Sequence, residues 1–189
     1  MLSPGHLAAG YLTAKIALKI IKPELNSSEF DDLFLWGAIF GAAPDLDLSY
    51  NTLHPGKKTV ALVDCRDKDS HRNHFTHAPL VWLAIGLFLL FISIWLNTLF
   101  LTYLALLLWA CSWIHFILDS LEDGIRWFWP FNKNFFRIRS VEILPKAESG
   151  GLLEEFGRFL KYYTKKFKLT FYLEIVLVLA ALTIYFLKI

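Results

Sequence analysis

Between residues 79 and 118 the chain carries no Asp, Glu, Lys or Arg, and only Asn97-Thr98 interrupts its apolar run. A helix needs about 20 mostly apolar residues to cross the hydrocarbon core of a bilayer. Segments 79–96 and 99–118 each supply that length. Lipid offers no partner to peptide groups, so a spanning segment must satisfy them within a helix. The run therefore predicts a transmembrane hairpin with its tip at Asn97-Thr98, and both flanking loops must lie on one side of the membrane. The composition agrees. Charged residues make up 19% of the chain, below the roughly 25% usual in soluble domains, and the mean hydropathy is +0.45. A net charge of +2 gives no footing for a nucleic-acid partner.

The 189 residues are expected to form one all-α, polytopic membrane domain, 1–189. Segment 7–21 reads as a helix too short for an upright span, with Lys15 and Lys19 able to snorkel. It lacks the basic leader of a signal peptide. Segment 33–43, begun by Asp31-Asp32, is dense in Gly37, Ala38, Gly41, Ala42 and Ala43, residues that let helices approach closely in a bilayer. Pro44 then breaks the pattern. Residues 48–70 read as a polar loop. Trp127-Phe128-Trp129-Pro130-Phe131 suits an interfacial aromatic belt. A loop follows over 132–151, with a short strand expected around 136–144. Segment 152–168 is amphipathic and basic, as expected on an anionic leaflet. A last span is expected over 169–187, where Glu174 is either an intramembrane functional carboxylate or an interfacial one. Cys65 lies in a polar loop and Cys111 in an apolar segment, which indicates no disulfide framework.

The loops 44–77 and 119–168 hold five and ten Lys and Arg residues, fifteen of the chain's 19. The positive-inside rule places that side in the cytoplasm. The chemistry-bearing residues collect there too. Three of the six histidines, His71, His74 and His77, fall just before the hairpin, and imidazole is the commonest protein metal ligand. His115 and Asp119, four residues apart at a helix end, share one face and can share a metal. Asp45 and Asp47 form an Asp-x-Asp after the proline break; such aspartates also serve as turn and cap residues. Arg72 offers a fixed charge to a phosphate or to a carboxylate beside the ligands. His6 by itself is ordinarily a solvated terminal residue. If 7–21 and 33–43 pair as a re-entrant hairpin, His6 and Asp45 reach the same face as the others. His74 is left open as ligand, supporting group or exposed residue, and His54 reads as loop.

A mixed imidazole–carboxylate set suits zinc, manganese or iron, in one or two ions or more. No Gly-x-Ser-x-Gly nucleophile is present, and the arginine that histidine-nucleophile membrane phosphatases carry ahead of His115 is missing. The order His6, Gly41-x-x-Pro44-Asp45-x-Asp47, His71-Arg72…Thr76-His77 and His115-x-x-x-Asp119…Gly124…Trp129-Pro130 resembles the LexA-regulated, membrane-bound metal-dependent hydrolases (YdjM-like). These are distantly similar to zinc-dependent phospholipase C. The resemblance covers about residues 1–131. It departs at Ala78, where a serine commonly stands, and at Glu122 and Asp123.

The resemblance implies an inner-membrane hydrolase of phosphoesters, such as phospholipids. Its metal would be held by His6, Asp45, Asp47, His71, His77, His115 and Asp119 at the cytoplasmic ends of the helices. Asp47 and Arg72 are expected to serve catalysis, Arg72 by steadying phosphate. Membrane lipids are the expected partners and nucleic acid is not. Two other classes compete: a non-catalytic metal-binding membrane protein, such as a transport accessory or sensor, and a metal-free scaffold.

Overall fold

The computed structural model describes residues 2–46, 71–139 and 152–187; the side chains of His71, residues 152–156, Arg158 and Phe159 lie outside that description. Asp47, His54, Cys65 and the far part of the expected strand therefore fall outside the described residues. Helices account for most of the described residues. Helix α1 is Ser3–Ile21 and α2 is Ser27–Ala42. Helices α3 (Pro79–Leu96) and α4 (Leu99–Asp119) form the expected hairpin. Helices α5 (Leu152–Lys166) and α6 (Lys168–Leu187) end the chain's described part. Three of these, α3, α4 and α6, are long and apolar enough to cross a membrane.

The first pair differs from expectation, because both helices begin earlier. Pro4 occupies the first turn of α1, where a missing N–H costs nothing, so Ser3-Pro4-Gly5 is helical and His6 lies on the helix. Helix α2 starts with a capping box. The Asn26 side chain accepts the Glu29 N–H at 2.9 Å, and the Glu29 carboxylate accepts the Asn26 N–H at 3.0 Å. Asp31 and Asp32 thus sit inside the helix on exposed positions.

The connector is short, so α1 and α2 run antiparallel in near backbone contact. A Cβ on Gly10 would collide with the Gly37 carbonyl, and one on Gly41 with the His6 carbonyl. Gly37 and Gly41 stand four residues apart and so share a face of α2. This approach carries Asp45, in the 3-10 turn after α2, to the level of His6 at the opposite end of the pair.

Helix α4 is the centre of the bundle, packed against α1, α2 and α3, while α1 also packs against α6. Ala14, Leu18, Leu33, Phe40, Leu107, Leu108 and Cys111 from α1, α2 and α4 form the main buried cluster. Helix α3 leaves Leu87, Phe88, Phe91, Ile94 and Trp95 exposed, as a lipid-facing helix should. At the hairpin tip Asn97 takes a left-handed conformation (φ 51°), and the Thr102 hydroxyl bonds Ser93 Oγ across the two helices at 3.1 Å.

The strand expected near 136 is reduced, among the described residues, to one antiparallel bridge between Ile125 and Phe136. Beyond it, the Ile138 and Arg139 N–H groups donate to the Ser120 and Leu121 carbonyls, each at 2.8 Å. The Ser120 carbonyl is at the C-cap of α4, where it would otherwise be orphaned, and the Leu121 carbonyl is in the turn just after it. The segment is a cap for a helix end rather than a sheet edge. Between the two, Gly124 reverses the chain at φ 108°, a conformation closed to residues with a Cβ.

Candidate functional site

The α1 N-terminus, the α2 C-terminus, the start of α3, the end of α4 and the start of α6 meet at one end of the bundle. Each brings a polar side chain. His6 comes from the first turns of α1, Asp45 from the turn after α2, His77 from the 3-10 turn Phe75–His77 ahead of α3, and His115 with Asp119 from the last turn of α4. His6 and His115 are fully buried; His77 and Asp119 are 1% exposed.

The donor atoms converge. Those of His6, Asp45 and His115 lie within 4.8 Å of one another, as do those of His77, His115 and Asp119, so His115 belongs to both groups. His115 Nε2 is 3.7 Å from Asp45 Oδ1 and 3.7 Å from Asp119 Oδ2. His77 Nε2 is 3.4 Å from Asp45 Oδ1. His6 Nε2 lies 3.1 Å from Asp119 Oδ1, off the line of a good hydrogen bond. The His6 and His115 rings are stacked, centroids 3.7 Å apart.

Orientation comes from the surrounding backbone. Gly41 O can only accept, so His115 Nδ1 donates to it at 2.8 Å. A neutral imidazole protonated there presents a lone pair at Nε2, toward the carboxylates. The Trp82 indole donates to Thr76 O at 2.6 Å and steadies the turn that carries His77. Burial alone would raise the Asp45 carboxyl's pKa; the imidazoles of His115, His77 and His6, when protonated, lower it well below the usual range. Ser3 Oγ also donates to Asp45 Oδ2 at 3.4 Å.

Such a set can hold a divalent cation. Both ring nitrogens of His6 and Nε2 of His115 are buried without a hydrogen bond, an arrangement that is costly for groups meant to stay neutral and alone. The mixture of imidazole and carboxylate fits zinc, manganese or iron.

Of the residues expected at the site, His6, Asp45, His77, His115 and Asp119 are brought together. Asp47 lies outside the described residues. His71 has its backbone in the turn His71–Asn73, one residue from Arg72, with its side chain outside the description. His74 is exposed.

Arg72 is buried against carboxylates, 3.4 Å from Asp119 Oδ2 and 3.0 Å from Asp123 Oδ2. Asp123, noted in the sequence only as a departure, is thus Arg72's partner. Arg126 carries no motif in the sequence; its guanidinium donates to the carbonyls of Arg72 and Asn73, holding the turn in place. Glu122 was likewise a departure. It accepts the Thr170 N–H at 3.1 Å and hydroxyl at 2.7 Å, capping the start of α6. Glu174, ambiguous in the sequence, accepts the Gly5 N–H at 3.2 Å and the Tyr163 hydroxyl at 2.8 Å. It ties α6 and α5 to the turn of α1 that carries His6. Only tertiary contacts give these residues their roles.

No curated protein and no solved structure matches the chain. The motif resemblance stopped near residue 131, but the family match does not: it runs over residues 1–189 and takes in the α5–α6 part as well. By that match the chain belongs to the family described as YdjM inner membrane protein.

Proposed function

We propose that this chain is a metal-dependent hydrolase that cleaves a phosphoester, such as a phospholipid, at the cytoplasmic face of the inner membrane. One observation carries the reading: three buried imidazoles and two carboxylates from separate chain segments form two overlapping groups that share His115, at one end of the helices. His6, Asp45, His77, His115 and Asp119 would hold one or two ions, zinc first, with manganese or iron as alternatives. Asp47 and His71 extend the set in sequence.

A cation bound there supplies Lewis acidity and lowers the pKa of a water. The chain's own residues do the rest. Gly41 O keeps the His115 proton on Nδ1. Asp45, with 11% of its side chain exposed, is the donor open to an incoming substrate. Arg72 has a fixed, planar charge suited to phosphate oxygens, and it must exchange part of its bond to Asp123 to use it.

A second reading rests on the same burial. Catalytic sites keep an open position whereas structural sites are closed, and a set this enclosed also suits a non-catalytic metal-binding membrane protein.

Elemental analysis of detergent-purified protein, joined to phospholipid hydrolysis in vesicles, separates the two. The hydrolase reading expects one or two ions per chain and hydrolysis lost on chelation and in Asp45→Asn. Metal without hydrolysis of any phosphoester leaves the second reading; no metal overturns both. The orientation follows from the fifteen Lys and Arg on the site's side. Cysteines placed at 57 and 146, in a background lacking Cys65, should resist a membrane-impermeant label in intact cells.

A further inference from the structure

Arg72 presents one guanidinium nitrogen to two carboxylates, Asp123 Oδ2 at 3.0 Å and Asp119 Oδ2 at 3.4 Å. Both aspartates belong to the turn that ends α4, where the Asp123 N–H donates to the Asp119 carbonyl at 2.9 Å. They differ in what else they serve. Asp119 is 1% exposed and also faces His6 and His115. Asp123 has 12% of its side chain exposed, and among the described residues it belongs to neither group of converging donor atoms. The shorter contact of Arg72 is thus made to the outer carboxylate, beside the candidate ligands and not among them.

A counter-ion is the ordinary explanation, since a buried guanidinium left without an anion is costly. One carboxylate meets that need, however, and two against one guanidinium leave a negative charge in excess. Arg72 is the member of the pair that holds still. Arg126 donates to the carbonyls of Arg72 and Asn73 and pins their turn. The Asp123 carboxylate, on a short side chain open to solvent, can swing outward by one rotation about Cα–Cβ. Phosphate and carboxylate oxygens offer a guanidinium the same kind of acceptor. An arriving phosphate therefore competes with Asp123 for this place.

The displaced carboxylate stays on the same turn, and its charge still acts on whatever took its seat. Repulsion grows with each negative charge on the arriving group. A phosphodiester carries a single negative charge, whereas a phosphomonoester carries about 1.5–2 at pH 7. We propose that Asp123 is a specificity-determining residue: an internal anion that occupies the phosphate seat on Arg72, yields it to phosphodiesters and holds off phosphomonoesters. The proposal rests on the reading of Arg72 as a phosphate contact and narrows the substrate class from phosphoesters to diesters.

The test reads binding apart from hydrolysis. Phosphorus NMR titrates the full chain in neutral detergent with dimethyl phosphate, a diester, and methyl phosphate, a monoester. The pH is held at about 8, above the second phosphate pKa of about 6. Wild type should bind the diester at least tenfold more tightly. In Asp123→Asn, which keeps the shape and removes the charge, that preference should fall at least tenfold through a gain for methyl phosphate. Asp123→Glu, which keeps the charge, should keep the wild-type preference. Arg72→Gln added to Asp123→Asn should erase the gain, because the seat itself is gone. A role as counter-ion alone expects a lower melting temperature in Asp123→Asn with the preference unchanged, and that result would overturn the proposal. So would a wild type that binds methyl phosphate as tightly as dimethyl phosphate, a measurement that decides even if the variants fail to fold. Hydrolysis is read separately, with phosphatidylglycerol against phosphatidate in vesicles. A shifted preference without hydrolysis supports the seat and removes the hydrolase; hydrolysis with an unshifted preference does the reverse.

Discussion

His115 donates its Nδ1 proton to the Gly41 carbonyl at 2.8 Å, joining the last turn of α4 to the last turn of α2. The same glycine touches the His6 carbonyl so closely that a Cβ there would collide with it. One residue without a side chain therefore sets the spacing of two candidate ligands. Gly41→Ala must push α1 from α2, and overpacking of this kind costs about 1–3 kcal/mol. The melting temperature in detergent should drop by several degrees, and metal content should fall with it. Gly157→Ala on α5, where a Cβ meets nothing within 4 Å, should be neutral or gain up to about 0.5–1 kcal/mol. Equal melting temperatures for the two variants would mean that the glycine contact does not set the packing.

Asp119 meets His6, His115 and Arg72 at once. Asp119→Ala removes the anion that all three face, and loss of one partner from a buried charged set costs on the order of 3 kcal/mol. Bound metal and any hydrolysis should be lost together. Chelated wild type should recover with added zinc or manganese, since a ligand held only by the folded state stabilises it, whereas Asp119→Ala should not recover. His54→Ala should match wild type throughout. Full metal content in Asp119→Ala would reduce the His115–Asp119 pair to an ordinary helix end.

Tyr163 on α5 donates to Glu174 on α6 at 2.8 Å. Tyr163→Phe leaves a buried carboxylate one donor short, a loss of about 1–3 kcal/mol. Burial, and then the negative Glu174 beside it, raise the Tyr163 pKa above its ordinary value. The folded chain thus keeps this proton at a pH where the unfolded chain gives it up. The stability from the neutral hydroxyl is whole below about pH 10, the usual tyrosine value. It falls as pH rises past that point toward the folded-state pKa. Thermal melts from pH 8 to 11 should show that decline in wild type and a shallower one in Tyr163→Phe. Parallel curves would exclude the bond as its source.

Leu89 lies midway along α3, packed against the main core cluster. An arginine there should impair insertion by about 2.5–3.5 kcal/mol on translocon scales. A Lys-Glu pair inserted between Asn97 and Thr98 should be accepted, because a tip already meets water. Glycosylation-site mapping of membrane-integrated chains reads both. Equal insertion would remove α3 as a span.

The hairpin and the gathering of ligands at one end were legible because both follow from counting. An uncharged run of fixed length decides its own crossing, and one crossing decides the side of everything beyond it. Helix starts were less legible: Asp31-Asp32 has the look of a helix start, but the capping box at Asn26 and Glu29 sets it earlier. The glycines of α2 announced close packing but not which helix would come close. Glu122, Asp123, Arg126 and Glu174 resisted in another way. Each is a charged residue whose partner lies far along the chain, on Thr170, Arg72, Asn73 or Gly5. No local pattern encodes such a pairing. For Glu174 the choice between functional and interfacial carboxylate has a third answer in the structure, a clamp across helices.

That clamp has a consequence for how the molecule is made. Domains form from the N-terminal side as synthesis proceeds at about 5–20 residues per second. The α1–α2 and α3–α4 hairpins can therefore be in the membrane before α6 leaves the ribosome. Yet the Gly5 N–H, in the turn that carries His6, finds its carboxylate on α6, 169 residues later. Until α6 docks, the first turn made is held by α2 and α4 but lacks this carboxylate on its Gly5 N–H. The site is thus closed by a late arrival, and the earliest turn of the chain is the last to be finished.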